Sequence, residues 1–337
     1  MKHRKLITGV FAISAMGIMI LDSRCMLIST EQGVKLCLNS LIPSLFPFLF
    51  LSAIVTDAFW EKDGVFFRFL GRLFQIPAGG SSLLIPALLG GYPAGAQTIA
   101  ENYETGRLSG EEAQRLLAYC NNAGPSFLFG IVAFQFPEPW MAWSLWVIHI
   151  LSAAMVSRFY PMGASGMHIL ARKEQSISAH LIRSLRTMAM ICGWVILFRV
   201  LLGFLDKWFL WYFPKELRIA VWGILELSNG CCSLTEIASI PMRFILCSGM
   251  LSFGGICITM QTASLISDLS LSGYLKGKMI QTGFSLVFAA FAIFGYGWIV
   301  AVMAFLWLIS PRLRKKEVAF CGISLYNTGI IRSEGAI

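Results

Sequence analysis

The sequence predicts an all-α polytopic membrane protein made of two pseudo-symmetric repeats whose helices are broken or re-entrant. Three observations carry that expectation. The 337 residues are 56% hydrophobic and only 13% charged, with a mean hydropathy of +0.70, whereas a soluble domain carries about a quarter charged residues. The apolar runs are interrupted by glycine, proline and small polar residues, which a plain membrane anchor lacks. The interruptions recur in the same order in the two halves.

The organising interruption is Gly90-Gly91-Tyr92-Pro93-Ala94-Gly95, with Ala96, Gln97 and Thr98 behind it. Three glycines and a proline in six residues free the backbone, remove an N–H and crowd the preceding turn. In hydrocarbon, the backbone groups released by such a break need partners, so it belongs inside protein or against a watery cavity. Transporters hold substrate or coupling ion at breaks of this kind. A loop or proline kink between two packed helices is the plainer alternative.

In chain order, Met1 to Lys5 is basic and Leu6 to Leu21 apolar. Leu21-Asp22-Ser23-Arg24 offers no small-residue cleavage site, so a retained first helix with a cytoplasmic N-terminus is expected. Val34 to Val55 is the next apolar run, disturbed by Asn39, Pro43, Ser44 and Pro47. Asp57 to Arg72 reads as an amphipathic connector at the interface, and the broken segment follows over Gly79 to Tyr103. Ser109 with Glu112 three residues on is a capping box. Its helix meets a second break at Asn121-Asn122-Ala123-Gly124-Pro125-Ser126, and a span covers Trp140 to Phe159. Arg158 to Arg186 holds five basic residues against Glu174 and is expected to be cytoplasmic.

The second series opens with a span over Leu185 to Leu205 that contains Arg199. Leu217 to Leu227 ends beside Glu226 and is broken at Ser228-Asn229-Gly230. A helix from Pro241 to Ser252 breaks at Phe253-Gly254-Gly255 and continues through Gln261. Met279 to Ser310 is either one long apolar span or two short ones around Gly295-Tyr296-Gly297, and Arg312, Arg314, Lys315 and Lys316 close the core. The breaks lie 26 residues apart in the first half (Gly95 to Asn121) and 24 in the second (Gly230 to Gly254). This divides the chain into an N-terminal helix and connector (1-32), a first repeat (33-160), a basic loop (161-179), a second repeat (180-310) and a tail (311-337).

Charge and cysteine chemistry narrow the function. The net charge of +9 gathers at the ends of apolar spans, the positive-inside pattern, which argues against nucleic-acid binding. Nine cysteines, an odd number without a CxxC pair, and four scattered histidines predict neither a disulfide framework nor a metal site. Gly163-Ala164-Ser165-Gly166 resembles the nucleophile turn of rhomboid proteases, yet it lies in the basic loop with no buried base. No phosphate loop is present. No enzymatic activity and no cofactor are expected.

Four motifs resemble the sporulation integral membrane protein YlbJ family, whose members carry nucleoside-recognition (Gate) domains. They are Gly91-Tyr92-Pro93-Ala94-Gly95-Ala96, Cys120-Asn121-Asn122-Ala123-Gly124-Pro125, Glu226-Leu227-Ser228-Asn229-Gly230, and Phe253-Gly254-Gly255-Ile256-Cys257 with Gln261. The resemblance covers about Val34 to Ser310. It implies a fold resembling the core of concentrative nucleoside transporters, and movement of dipicolinic acid across the outer forespore membrane during sporulation. It places the protein in the plasma membrane or outer forespore membrane of a bacterium. The chain departs from the pattern at Cys231-Cys232.

The expected function is therefore secondary transport of a small anionic or heteroaromatic metabolite. A nucleoside-type transporter outside sporulation, or a membrane assembly or signalling protein that does not transport, are the alternatives. Candidate substrate-binding residues are Gly91, Tyr92, Gly95, Gln97, Asn121, Asn122, Ser126, Glu226, Ser228, Asn229, Gly254, Gly255 and Gln261. Glu226 is the most informative charge, because an ionisable group within an apolar segment marks a pathway or relay. Its position at the C-terminal end of a half-helix is unfavourable, a cost tolerated where the group binds a cation or proton. Pairing with Arg199 or Arg243 is the structural alternative. Helix N-termini behind Gly95 and Gly230 are expected to offer free N–H groups to an anion. The coupling ion, Na⁺ or H⁺, stays open. Expected partners are the substrate and the bilayer, with a second copy of the chain or other sporulation membrane proteins as protein partners.

Overall fold

The computed structural model describes residues 2–60, 64–76, 80–161, 175–266 and 269–309. Outside them fall Met1, part of the charged connector (61–63), Gly79, the Gly163–Gly166 turn, Arg172, Lys173 and Glu174. The tail with its basic cluster Arg312 to Lys316 also lies outside the described residues. Every described element is helical. Among the described residues, four helices are long and apolar enough to cross a membrane: Ser23–Ala58, Pro139–Ser157, Ile177–Trp208 and Ile240–Leu265.

Helix α1 (Lys2–Leu21) ends at Asp22, whose carboxylate caps the next helix by accepting from the Cys25 N–H at 3.3 Å and pairs with Lys207. Helix α2 (Ser23–Ala58) is continuous where the sequence suggests a run from Val34 to Val55. It tolerates Pro43 because Cys37–Leu41 winds as a wider π turn, with the Ile42 N–H reaching back to the Cys37 carbonyl. The extra residue makes room for a ring that would otherwise strike the preceding turn. The short α3 (Val65–Leu73) turns Val65, Phe66 and Phe69 outward, the form of an interfacial helix.

The broken region of the first half comprises α4 (Ser81–Gly90), α5 (Ala94–Glu104), α6 (Gly110–Leu117) and α7 (Pro125–Gln135). Between α4 and α5 the chain passes through Gly91 at φ 73° and a cis Tyr92-Pro93 bond. The capping box opens α6: the Ser109 hydroxyl accepts from the Glu112 N–H and the Glu112 carboxylate accepts from the Ser109 N–H at 2.9 Å. A non-helical stretch, 118–124, separates α6 from α7. At about 1.5 Å per residue, α4 and α7 each reach roughly half of a ~30 Å hydrocarbon core. Helix α8 (Pro139–Ser157), with 19 residues, is long enough to cross in full.

Helix α9 (Ile177–Trp208) has 32 residues and starts eight before the expected Leu185. Ser176 caps it, accepting from the Ala179 N–H at 3.2 Å. Arg183 and Arg186 therefore belong to this helix rather than to the loop. Arg183 pairs with Glu101 of α5 at 2.7 Å.

The second broken region holds α10 (Lys215–Leu225), α11 (Leu227–Cys232), α12 (Ile240–Phe253) and α13 (Gly255–Leu265). The sequence places its first break at Ser228-Asn229-Gly230, but those residues are helical and the break is at Glu226, which is extended at φ −144° and ψ 114°. The second break falls where expected, with Gly254 at φ 80° and Gly255 at φ 89°. Helix α14 (Leu271–Ile293) and α15 (Gly297–Ile309) divide the long final stretch, with Gly295 at φ 85° between them.

Helix α9 lies along α2, and α14 along α12, through small residues, the usual means of close helix approach in lipid. A Cβ on Gly33 of α2 would come within 3.1 Å of the Ile196 backbone, and Gly203 of α9 rests on Ser29. Between α12 and α14, the Ser248 and Ser285 hydroxyls are 2.6 Å apart and Gly249 faces Leu286. The left-handed turn at Gly254 is equally restrictive. Gly254→Ala places a methyl 3.1 Å from the Tyr92 ring in a conformation that costs an L-residue about 1–2 kcal/mol. A fall of several degrees in the melting temperature of the detergent-extracted protein is the expected result, and an unchanged melting temperature refutes this packing.

Candidate functional site

The four breaks meet at one place. In the first half, a Cβ on Gly91 would lie 2.9 Å from the Gly124 nitrogen, and Gly95 has the Cys120 carbonyl directly against it. In the second half, the reversal at Glu226 sets Gly230 on the backbone of Gly223, and a Cβ on Gly255 would be 3.2 Å from the Gly223 carbonyl oxygen. The halves are then joined by side chains from the motifs themselves. Ending α12 at Phe253 leaves carbonyls without an i+4 partner, and the Tyr92 hydroxyl donates to that of Leu251 at 3.2 Å. The Asn121 amide donates to Thr262 of α13 at 3.0 Å, and its oxygen accepts from the Ala96 N–H of α5 at 3.4 Å.

A cleft lies among these breaks, between α2, α9 and the broken helices. Gly91, Tyr92, Ser126, Glu226, Ser228 and Gln261 bring the polar and backbone character to its wall, and Leu41, Leu49 and Phe127 are among its apolar neighbours. Its volume is about 40 Å³, room for a few waters at ~10–15 Å³ each.

Glu226 is 1% exposed, and its carboxylate accepts from the Ser228 N–H (3.0 Å), the Asn229 N–H (2.7 Å) and the Asn229 side-chain amide (2.7 Å). The residue ends α10 and at the same time caps the N-terminus of α11. The second position is the favourable one for a negative charge. The expected penalty at a helix C-terminus is therefore offset by the helix that follows. Neither expected arginine partner reaches it. Arg199 contacts Gln32 and lies 5.7 Å from the centroid of the Trp222 ring, and Arg243 donates to the carbonyls of Gln135 (2.8 Å) and Ile237 (2.7 Å).

The two helix N-termini expected to be free for an anion are occupied from within. Asn121 serves α5, where the Ala94 and Gln97 N–H groups also bond to Gly91 and Pro93 carbonyls at 2.8 and 3.0 Å. No helix begins directly behind Gly230; the nearby N-terminus is that of α11, and Glu226 fills it. Asn121 and Asn122 are 0% and 1% exposed and off the cleft wall: Asn121 bonds to α5 and α13, while the Asn122 oxygen accepts from Lys278 and Gln281 of α14 and its NH2 donates to the Tyr119 carbonyl at 2.7 Å. Asn229 holds Glu226, and Gly254 and Gly255 shape the turn beneath Tyr92. Gln97 stands apart, in a second small cavity, where its oxygen accepts from Thr187 of α9 at 3.1 Å. Among the described residues, no three His, Cys, Asp or Glu side chains are grouped to hold a metal ion.

Two groups beside the cleft escape the sequence reading. His149 of α8 accepts from the Ala123 N–H at its Nε2 (3.1 Å) and faces the Ser252 hydroxyl at its Nδ1 (3.2 Å). An Nε2 that accepts puts the ring proton on Nδ1, so this histidine ties the 118–124 break to α12. Lys278 of α14 is fully buried and bonds to Tyr92, Asn122 and Gln281. It is hidden in the sequence as the flank of a run that begins at Met279. The signal is the spacing Tyr274, Gly277, Lys278, Gln281, Ser285, one polar and small stripe along a helix.

Comparison with known proteins agrees with these motifs. The chain is similar to the sporulation integral membrane protein YlbJ of Bacillus subtilis (strain 168), 24% identical over 308 residues that span 77% of this chain and 76% of the relative. No protein-family model matches the chain, and no solved structure matches it.

Proposed function

We propose that this membrane protein, related to the sporulation protein YlbJ, is a secondary transporter for a small anionic or heteroaromatic metabolite. Its two halves act as pseudo-symmetric repeats, resembling the core of concentrative nucleoside transporters, with the solute held between them. The family resemblance in the motifs implies dipicolinate, carried across the outer forespore membrane, as that solute. The observation that carries the reading is that three of the helix breaks line one cleft with a carboxylate in its wall, while the fourth, at Gly254-Gly255, packs against Tyr92 and Leu227 of that wall. Broken half-helices at mid-membrane are the means by which transporters build a site. No residue is assigned a catalytic role.

One observation favours a non-transporting assembly protein instead: the cleft is narrow, and Asn121 and Asn122 are committed to interhelical bonds. Flux in proteoliposomes separates the two. The full chain is expected to take up dipicolinate above protein-free vesicles, faster under an imposed Na⁺ or H⁺ gradient. Uptake of uridine in its place supports the nucleoside-type alternative, and uptake of neither under any gradient sinks the transport reading.

A further inference from the structure

Lys278 has no acidic partner among the described residues, and the three acceptors at its Nζ match the three N–H donors of an ammonium. Its ammonium donates to the Tyr92 hydroxyl (3.0 Å), the Asn122 side-chain oxygen (3.2 Å) and the Gln281 side-chain oxygen (2.9 Å). It also lies 5.0 Å from the centroid of the Tyr92 ring and 5.9 Å from that of Tyr274. All these groups are neutral. The other titratable neighbours are Cys120, at the break that Gly277 presses against, and His149, whose carbonyl holds Gln281. Among the described residues, no carboxylate pairs with Lys278. A buried ammonium solvated only by neutral dipoles is costly, and an ionisable group at membrane depth marks a solute or ion path.

Tyr92 connects this charge to the cleft. It is the ammonium's ligand that also lines the cleft, and its hydroxyl sits between Nζ and the Leu251 carbonyl. We infer that Lys278 is the counter-charge for an anionic group of the solute: a carboxylate entering the cleft takes the place of the Tyr92 hydroxyl at Nζ. The inference rests on the transport reading and narrows it to carboxylate-bearing solutes. Glu226 on the same cleft does not oppose this, because three N–H donors already hold its charge.

The test is charge selectivity in the reconstituted full chain, using pyridine-2,6-dicarboxylate, its neutral diamide and uridine. Wild type is expected to take up the dicarboxylate at least tenfold faster than the diamide. Lys278→Met, which keeps length without charge, is expected to bring that ratio near one, and Lys278→Arg to retain it. A structural role lowers both rates together and leaves their ratio unchanged, which overturns the inference. Should Lys278→Met lose its cooperative melting transition, Lys278→Gln supplies the neutral arm, with an amide able to keep a bond to Asn122. Uptake of uridine or the diamide by wild type without the dicarboxylate overturns the inference while transport stands. Uptake of none of the three overturns both.

Discussion

Glu226→Gln is expected to lower the melting temperature of the purified protein and to abolish its flux. The carboxylate receives three N–H groups from Ser228 and Asn229. A glutamine keeps one oxygen for the two Asn229 donors and turns an NH2 group toward the Ser228 N–H, donor against donor. One charge-assisted bond disappears and two weaken, about 3 kcal/mol together. The cap that fixes α11 loosens, and Ser228 leaves the cleft wall with it. Glu226→Asp keeps the charge and a side chain suited to an N-cap, so it is expected to recover part of the stability. Melting and gradient-driven flux are to be measured on the same preparations. A glutamine variant that melts like wild type refutes the capping role, and one that melts early yet carries solute at the wild-type rate refutes a role in the site.

Gly95→Ala and Gly230→Ala are expected to be the most damaging single-methyl changes in the broken regions. At Gly95 the new Cβ is driven into the Cys120 carbonyl, and at Gly230 into the backbone of Gly223. Backbone cannot step aside as a flexible side chain can, so the helices must separate. Overpacking of this kind costs typically 1–3 kcal/mol, and more where nothing yields. Gly193→Ala in α9 is the control, since its Cβ meets nothing within 4 Å. It is expected to be neutral or to stabilise the helix by ~0.5–1 kcal/mol. Yield of monodisperse protein and melting temperature decide the matter. If the two buried variants match the Gly193→Ala control, the backbone contacts at the breaks are not as described.

Local chemistry was legible in the sequence to the extent that it is local. Hydropathy identifies the long apolar helices, because burial in lipid is a property of a run of residues. Gly91-Tyr92-Pro93 and Gly254-Gly255 announce their breaks because a missing Cβ or N–H acts within one turn. The Ser109–Glu112 capping box is likewise a matter of four residues. Two local expectations moved by a few positions for equally physical reasons. Ser176 starts α9 ahead of Leu185, and Glu226, rather than Ser228-Asn229-Gly230, breaks the helix it ends.

The sequence by itself determined a helical membrane protein, the order of its breaks and the residue types gathered at them. Only the tertiary structure decided what those residues do for one another. Asn122 and Lys278 are 156 residues apart and Tyr92 and Lys278 are 186 apart, so no window of sequence contains either pair. Asn121 and Asn122 read equally as ligands for a solute or as ties between helices, and their partners in α5, α13 and α14 assign the amides to the protein. Glu226 reads as a charge at the wrong end of a helix until the chain's reversal turns the same residue into the cap of the next one. A side chain's chemistry is fixed by its type, but its burden of charge and hydrogen bonds is fixed by the groups that folding brings within about 3 Å, and for Tyr92, Asn121 and Asn122 several of those come from the far half of the chain.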